Sequence, residues 1–383
     1  EPAGAAQDQD HQHVGRAPEG QHLQRHRGGG VREQRTGDAG DHCGDGVDLA
    51  HIFFYNKEGK WQFDIAAAQT VAYSQEWVDR LRVAVNFNEE ELKMLNDDYT
   101  ALLSNVINNF VYANGLTGID AVCSHGHTVL HQPLSGITLQ IGNNPEISKL
   151  TGLKVVCDFR VQDVQLRGQG APLVPIGDRL LFSQYRYCLN LGGFSNISFE
   201  KSGSRIAFDI CPVNTVLNFY ARKLGVEYDA GGVIASKGSI IFDLLGELNA
   251  IDFYNQNYPK SLGFEFVQNE ILPLMEKYPN TAADKLCTFI EHAAIQISHT
   301  IKIYGEGDLL ITGGGAYNSY LISRLEAMLP HTVIVIPQDK TIQFKEALIF
   351  GLLGVLRLRG EINVLCSVTG ASANHSSGKI FEP

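Results

Sequence analysis

The stretch D-F-R-V-Q-D-V-Q-L-R-G-Q-G-A-P-L-V-P, residues 158–175, directly follows a short apolar strand predicted at residues 154–157. It places two carboxylates, an arginine and a glycine-rich turn at the end of that strand. In α/β proteins, polar residues at strand ends face a ligand cleft, and glycine lets the backbone approach a ligand closely. The stretch therefore predicts a catalytic or binding rim in an α/β fold.

Two interpretations of this rim stay open from the residue types alone. Asp158, Arg160 and Asp163 could form an ion pair that only fixes a loop. Alternatively, one aspartate is a general base and Arg160 orients either a ligand or that carboxylate. Gln169, between two glycines, adds an amide to the same rim.

Composition narrows the class of protein. The chain has 383 residues, which suggests two domains, and its 44% hydrophobic and 9% aromatic content is that of a globular protein. The net charge of −11 argues against a general nucleic-acid binder but does not exclude a phosphate ligand, which backbone N–H groups can hold. The seven cysteines include no C-x-x-C pair, and the sequence contains neither a long apolar run nor a signal-like start. We expect a cytoplasmic protein that does not span a membrane.

The first 43 residues differ from the rest of the chain. Residues 1–42 are rich in Gln, His, Arg, Gly and Asp, and their only large aliphatic residues are Val14, Leu23 and Val31. Such a segment buries too little apolar surface to offset its ordering entropy, so we predict a disordered tail at residues 1–43. A natural tail and an out-of-frame translation of a mis-assigned gene start both account for it, because ordinary globular sequence begins abruptly at Gly44.

Strand and helix patterns alternate after that point. Residues 47–55 and 61–73 are predicted to pair as a hairpin, and Asn88 is predicted to cap a long helix that ends at Gly115. The alternation predicts mixed sheets covered by helices. The remaining predicted strands are at 119–123, 154–157, 187–191, 205–209, 309–312 and 332–336. The remaining predicted helices are at 215–224, 284–304, 318–329 and 344–359.

Two glycine turns follow predicted strands. L-G-G-F-S-N spans residues 191–196 and I-T-G-G-G-A-Y-N spans residues 311–318. Such turns let backbone N–H groups meet a nucleotide, whereas the P-loop and dinucleotide-binding motifs are absent. His125, His127 and His131 also allow a zinc site, but polar contacts to a substrate or structural hydrogen bonds fit them better because no further ligand stands near them.

These motifs together resemble one family. D-G-V-D-L-A, S-H-G-H-T-V-L-H, L-Q-I-G, D-F-R-V-Q-D, R-G-Q-G-A-P-L-V-P, N-L-G-G-F-S-N, F-D-I-C-P-V-N, Y-D-A-G-G, P-K-S-L-G, T-G-G-G-A-Y-N and E-A-L-I-F-G occur in this order over residues 44–370. The chain is thereby similar to the anhydro-N-acetylmuramic acid kinases, sugar kinases of the acetate kinase–hexokinase–actin superfamily. The resemblance implies a two-domain actin-like (ribonuclease H-like) α/β fold, with domains at 44–180 and 181–370, a last helix packing back toward the first domain, and a flexible tail at 371–383.

The resemblance also implies a reaction and its residues. A water opens the 1,6-anhydro bridge of the sugar, and the freed O6 takes the γ-phosphoryl group of ATP with the help of Mg²⁺. Asp163 is implied as the general base, no protein side chain as a direct metal ligand, and a homodimer as the assembly. The implied sugar-binding residues are His125, Gln140, Arg160 and Gln169. The implied ATP-binding residues are Gly44, Asp45, Gly46, Asp48, Gly192, Gly193, Asn196, Asp209, Gly313, Gly314, Gly315 and Asn318.

The sequence departs from the family pattern at three places. Asp41, His42 and Cys43 stand where the family has the G-T-S of its main phosphate loop, and no apolar strand precedes them. Arg167 replaces a glycine, which would cost about 1–2 kcal/mol if that position has a positive φ, and His127 replaces a glutamine. Two further functions therefore stay open: a non-catalytic relative that binds muropeptide sugars, and a kinase for another small sugar.

Overall fold

The computed structural model describes the backbone of residues 24–33 and the whole of residues 46–383. Its strands form two large sheets and one two-stranded hairpin. The strands of the first sheet and of the hairpin are β1 (Gln24–Glu33), β2 (Gly46–Lys57), β3 (Lys60–Ala72), β4 (Ala121–Ser124), β5 (His127–Gln132), β6 (Ile137–Ile141), β7 (Val155–Cys157) and β13 (Lys379–Phe381). Those of the second sheet are β8 (Tyr187–Leu191), β9 (Phe194–Lys201), β10 (Ser204–Pro212), β11 (Leu309–Thr312) and β12 (Ile334–Val335).

The two large sheets share one topology. The first has the order β13-β7-β4-β1-β2-β3 and the second β10-β9-β8-β11-β12. In each, three consecutive strands form an antiparallel meander. The first strand of that meander pairs in parallel with one later strand, which in turn pairs in parallel with a second later strand. The predicted α/β fold is thus confirmed, and its two large sheets are similarly built.

Strand β1 differs from the sequence-based prediction. Gln24–Glu33 pairs with both β2 and β4, at the centre of the first sheet, within the segment for which we expected a disordered tail. The central position of β1 in the sheet explains why this strand forms. Without β1, the strands β2 and β4 would each leave a row of backbone N–H and C=O groups unpaired. The rest of that tail, residues 1–23 and 34–43, lies outside the described residues.

The helices cover both sheets. Asn88 caps the long helix α2 in a capping box with Glu91, and helix α13 packs against β1, β2, β4 and β7 of the first sheet. The helices are α1 (Gln75–Val83), α2 (Glu89–Ala113), α3 (Glu146–Thr151), α4 (Val161–Gln165), α5 (Pro175–Leu181), α6 (Asn214–Lys223), α7 (Phe242–Asn249), α8 (Phe264–Phe266), α9 (Leu272–Glu276), α10 (Ala282–Tyr304), α11 (Ser319–Met328), α12 (Asp339–Gln343), α13 (Lys345–Leu358) and α14 (Cys366–Thr369).

Three hydrophobic clusters make up the core. One lies between the second sheet and helices such as α6 and α10, and the other two lie on the two faces of the first sheet, under α2 and under α13. The cluster under α13 also includes Cys188 and Leu310 of the second sheet, so apolar packing is continuous from one sheet to the other.

The C-terminal segment corrects a second expectation. We expected a flexible tail at residues 371–383, but β13 pairs antiparallel with β7. The Ser377 hydroxyl donates to the Phe159 carbonyl (2.7 Å), and the Asn363 side chain accepts from the Ser377 N–H (2.7 Å). These buried hydrogen bonds hold the segment against the first sheet, and short polar sequence alone did not reveal them. The predicted domain boundaries stay a prediction.

Candidate active site

Asp163 lies in the first turn of α4 and is fully buried. The chain reaches it from β7 through Asp158, whose φ of 59° is a left-handed conformation that aspartate tolerates better than most residues. Thr369 donates its hydroxyl to Asp163 Oδ1 (2.7 Å), and the Gly170 N–H donates to Oδ2 (2.7 Å). The carboxylate is therefore fixed from both sides, as a positioned proton acceptor needs to be.

The turn after α4 depends on glycine. A Cβ at Gly168 would overlap the Asp163 carboxylate, and Gly170 has a φ of 67°. Arg167 stands where the family pattern has a glycine, and its φ is 66°. The arginine therefore adopts the left-handed conformation that a glycine at this position suggested. Its side chain is exposed, and the conformation costs about 1–2 kcal/mol.

Arg160 and His125 form one hydrogen-bonded unit beside this turn. Arg160 donates through Nε to His125 Nε2 (3.1 Å) and through a terminal nitrogen to the Gly170 carbonyl (2.7 Å). His125 Nδ1 lies 2.7 Å from the Gly126 carbonyl, which can only accept. The imidazole is therefore neutral, with its hydrogen on Nδ1 and with Nε2 as an acceptor. Arg160 thus fixes the turn that holds Asp163, and both interpretations of the rim stay predictions.

Gln140 and Gln169, the other two residues expected on the sugar side, differ in environment. Gln140 is buried in β6, its Nε2 donates to Thr138 (2.8 Å), and its Oε1 is buried without a hydrogen-bond partner. An orphaned buried amide oxygen is costly unless a ligand or water satisfies it. Gln169 is exposed, and its backbone N–H donates to the Thr369 carbonyl (2.8 Å).

The three histidines of the S-H-G-H-T-V-L-H motif do not gather at one point. His127 is buried against the Tyr99 ring, and His131 is exposed with Nδ1 3.1 Å from the Thr138 hydroxyl. Among the residues that the structure describes, no three His, Cys, Asp or Glu side chains form a group that could hold a metal ion.

Four polar residues form a row across the second sheet. Asp209 pairs in register with Asn196, Asn196 with Asn190, and Asn190 with Thr312. Residues directly opposite each other in neighbouring strands point to the same face. Two of the expected phosphate-facing residues, Asp209 and Asn196, thus lie side by side, and Asn190 and Thr312 extend the row.

Asp209 has a perturbed carboxyl group. Burial raises its pKa from 3.8 to about 6, although the Leu262 N–H donates to Oδ2 at 2.8 Å and partly opposes the shift. A nearby cation would favour the charged form of this carboxylate. Carboxyl groups with perturbed pKa values are typical of functional sites.

The two glycine turns lie together. Asn214 at the start of α6 donates to the Leu191 carbonyl (3.3 Å), and Gly314 and Gly315 approach its side chain. Gly313 has a φ of 83°, and a Cβ there would lie 2.6 Å from Asn190 Oδ1. Close approach of the two turns at the ends of the parallel strands β8 and β11 matches where α/β sheets bind ligands. The two turns therefore lie side by side at this edge of the second sheet.

Asn318 has a structural role in addition to the expected one. Its side chain caps α11 by accepting from the Leu321 N–H (3.0 Å), and it lies against Gly232 of the Y-D-A-G-G motif. The Asp229 carboxylate of that motif accepts from the N–H groups of Ile234 and Ala235. A third glycine turn is thereby joined to the first two.

On the first sheet, Gly46 lies so close to β3 that a Cβ would overlap the Val71 carbonyl. Asp48 is fully buried and accepts a hydrogen bond from the Thr70 hydroxyl. Gly44 and Asp45, and the phosphate-loop positions 41–43, lie outside the described residues.

Sequence reasoning missed several residues at this site. Thr369 and His375 contact Asp163 from the C-terminal segment, and both amide atoms of Asn143 are buried without a hydrogen-bond partner. The S-V-T-G-A pattern around Thr369 is a hydroxyl before a helix-ending glycine, which is too common to indicate a site.

A buried ion pair between Lys345 Nζ and Asp178 Oδ1 (2.8 Å) joins α13 to α5.

Comparisons with known proteins agree with the motifs. The family model described as "Anhydro-N-acetylmuramic acid kinase" matches residues 42–383. A protein of that name from Shewanella amazonensis is 31% identical over 357 residues, which cover 88% of this chain and 95% of the relative. One from Aliivibrio fischeri is 35% identical over 276 residues, covering 69% and 75%. The solved activator of 2-hydroxyisocaproyl-CoA dehydratase from Clostridium difficile, with bound ADPNP, is 13% identical with a TM-score of 0.40 and covers 86% of this chain and 92% of its own. In the described part of the chain, the helices are too short or too polar to cross a membrane.

Proposed function

The chain belongs to the anhydro-N-acetylmuramic acid kinase family, and on that premise we propose that it converts 1,6-anhydro-N-acetylmuramic acid and ATP to N-acetylmuramic acid 6-phosphate and ADP. The observation that carries the proposal is the family match over residues 42–383, which includes every motif of the candidate site. Its place would be the turnover of peptidoglycan fragments in the cytoplasm, with the protein acting as a homodimer.

Asp163 is the proposed general base. The water oxygen bonds to the anomeric carbon, the water proton passes to Asp163, and the bond from that carbon to O6 breaks. Each carboxylate oxygen can accept two hydrogen bonds, and one to each oxygen is supplied by Thr369 and Gly170. Lone pairs of the carboxylate therefore stay available for the water.

Arg160, His125 and Gln140 are proposed to bind the sugar. The Arg160–His125 unit lies on the turn that holds Asp163, so contacts to the sugar and the position of the base are mechanically linked. The unsatisfied Oε1 of Gln140 is a ready acceptor for a sugar hydroxyl or amide N–H. Gln169, which is exposed at the rim, adds an amide donor.

The second sheet is proposed to bind ATP. Backbone N–H groups of Gly192, Gly193 and the turn at residues 313–315 would hold phosphate oxygens, as glycine turns at strand ends do elsewhere. The O6 oxygen then bonds to the γ-phosphorus as the bond to the β-phosphate oxygen breaks. The charges that develop are spread over the phosphate oxygens, so positioning and electrostatics are the main demands on the protein.

Mg²⁺ fits the polar row of the second sheet. Asp209 and Asn196 present the oxygen ligands that Mg²⁺ prefers, and the raised pKa of Asp209 indicates a carboxylate that gains from a nearby cation. When bound, the ion would neutralise phosphate charge, with Asp209 holding it through water.

One sequence feature favours a second candidate function. Asp41, His42 and Cys43 stand where the family has its G-T-S phosphate loop, and a protein that binds the sugar without phosphorylating it would not need that loop. This alternative is an outcome of the test below.

The test is an ADP-release assay with 1,6-anhydro-N-acetylmuramic acid on the full chain, Asp163→Asn and the control Asp308→Asn, whose side chain is exposed. We expect turnover by the native chain and the control, and a kcat about 10²–10⁴-fold lower for Asp163→Asn with little change in KM. Sugar binding by calorimetry without ADP release would favour the binding protein. Turnover of another sugar at a higher kcat/KM would favour the alternative kinase.

A further inference from the structure

His375 lies in the segment that returns from α14 to the edge of the first sheet. Its backbone pairs with Val364, and its ring is buried. Two positions later, Ser377 is fixed by the Phe159 carbonyl and by the Asn363 side chain. The ring is thus held between well-anchored backbone segments rather than at a loose chain end.

The hydrogen bond at Nδ1 determines which atom His375 offers to its neighbours. Nδ1 lies 3.1 Å from the Ala373 carbonyl oxygen, and a carbonyl can only accept, so Nδ1 carries a hydrogen. The other nitrogen, Nε2, lies 3.6 Å from Asp163 Oδ1. Among the described residues, no atom lies within hydrogen-bond distance of Nε2, so the Asp163 carboxylate is the polar group that this buried ring atom faces.

Asp163 gains from a fixed polar neighbour because its carboxylate is fully buried. The two hydrogen bonds from Thr369 and Gly170 come from uncharged groups. A buried carboxylate is stable in its charged form only when hydrogen bonds or a cation offset the loss of hydration. Other titratable or charged groups around this turn are Arg160, which binds the Gly170 carbonyl, and His131, whose ring contacts Gly170.

We propose that His375 is a positioning residue for the reaction, which acts through Asp163 because its Nε2 faces Oδ1. Together with Thr369 it limits the movement of Oδ1, so that the carboxylate stays in place to take the proton of the attacking water. His375 does not itself touch the sugar. The inference rests on the proposed role of Asp163 and adds to it a residue from the far end of the chain.

The test compares His375→Leu, His375→Gln and the control Ser377→Ala in the ADP-release assay. His375→Leu removes the ring nitrogen that faces Oδ1, and we expect kcat to fall about tenfold with both KM values within about twofold, since the change affects the position of the base and not the binding of either substrate. The glutamine amide can donate to Oδ1, so His375→Gln should recover most of the loss. Ser377→Ala removes a buried hydrogen bond from the same segment and should keep the native kcat. A native kcat in His375→Leu, or an equal loss in Ser377→Ala, overturns the proposal.

A second measurement does not need activity. Urea unfolding of the native chain, Asp163→Asn, His375→Leu and the double variant forms a double-mutant cycle. We expect the two changes to be coupled by about tenfold in the unfolding equilibrium constant, and additive effects would overturn the pairing. If the native chain proves inactive while the coupling is present, the proposed kinase function fails and the Asp163–His375 pair stands.

Discussion

Replacing Asp209 with asparagine should make the protein more stable while weakening its use of ATP. Asp209 lies in the polar row of the second sheet, and its Oδ2 accepts the Leu262 N–H at 2.8 Å. Asparagine has nearly the same shape, and its amide oxygen can accept the same hydrogen bond. The substitution therefore removes mainly the ionisable group.

The size and sign of the effect follow from the pKa. Burial raises the pKa of Asp209 from 3.8 to about 6, so folding disfavours the charged carboxylate. The contribution of Asp209 to stability is complete below pH 3.8 and is lost as the pH rises through about 6. A difference of about two pH units corresponds to at most about 3 kcal/mol at pH 8, and to about half of that at pH 5. Asp209→Asn avoids this loss.

Urea unfolding of the native chain and the variant at pH 5, 6, 7 and 8 measures the difference. We expect the advantage of Asp209→Asn to grow by about 1.5 kcal/mol from pH 5 to pH 8, with equal m-values. At the same time, the KM for Mg²⁺–ATP should rise or kcat should fall, because the variant lacks the carboxylate proposed to hold the ion through water.

Asp308→Asn is the matched control, because Asp308 is exposed in the same half of the chain. It should change stability by less than about 0.5 kcal/mol at every pH. If the advantage of Asp209→Asn did not change with pH, the burial argument for its raised pKa would be refuted.

Two further substitutions test other parts of the structure. Arg167→Gly should stabilise the protein by about 0.5–1 kcal/mol in urea unfolding, because glycine adopts the φ of 66° without strain. The control Gln165→Gly, at the end of α4, should destabilise the protein. Loss of stability in Arg167→Gly would contradict this reasoning. Lys345→Met should lower the free energy of unfolding by about 3 kcal/mol, because it leaves the buried Asp178 carboxylate without its 2.8 Å partner. Adding Asp178→Asn should restore part of this loss. Additive effects in the double variant would show that the ion pair contributes little.

Patterns of local sequence predicted much of the fold. The hairpin of β2 and β3, the Asn88 cap of α2 and the strand β11 all follow from alternation, capping and glycine signals. These features depend on residues close together in the chain, so a sequence pattern contains them completely.

Strand β1 could not be predicted in this way. Gln24–Glu33 includes three consecutive glycines and lacks the apolar pattern of a buried strand, so local propensity argues against it. Its place depends on β2 and β4, which need a partner on both sides. Pairing between distant segments, rather than local preference, gives the strand.

The candidate site shows the same division. Asp163, Arg160 and the glycine turns were expected from motifs, and the structure brings the first two together with Gly170. Thr369 and His375 were not expected, because contact with Asp163 depends on how the last part of the chain folds back. The chemical type of a residue can be read from a motif, but its partners from remote segments cannot.

The hydrogen bond between Thr369 and Asp163 joins residues 206 positions apart. During protein synthesis, Asp163 is made long before the segment that holds it, so the carboxylate can reach its final environment only after nearly the whole chain has been translated. A nonsense mutation shortly before Thr369 would thus remove two contacts of the proposed base while leaving both sheets almost complete.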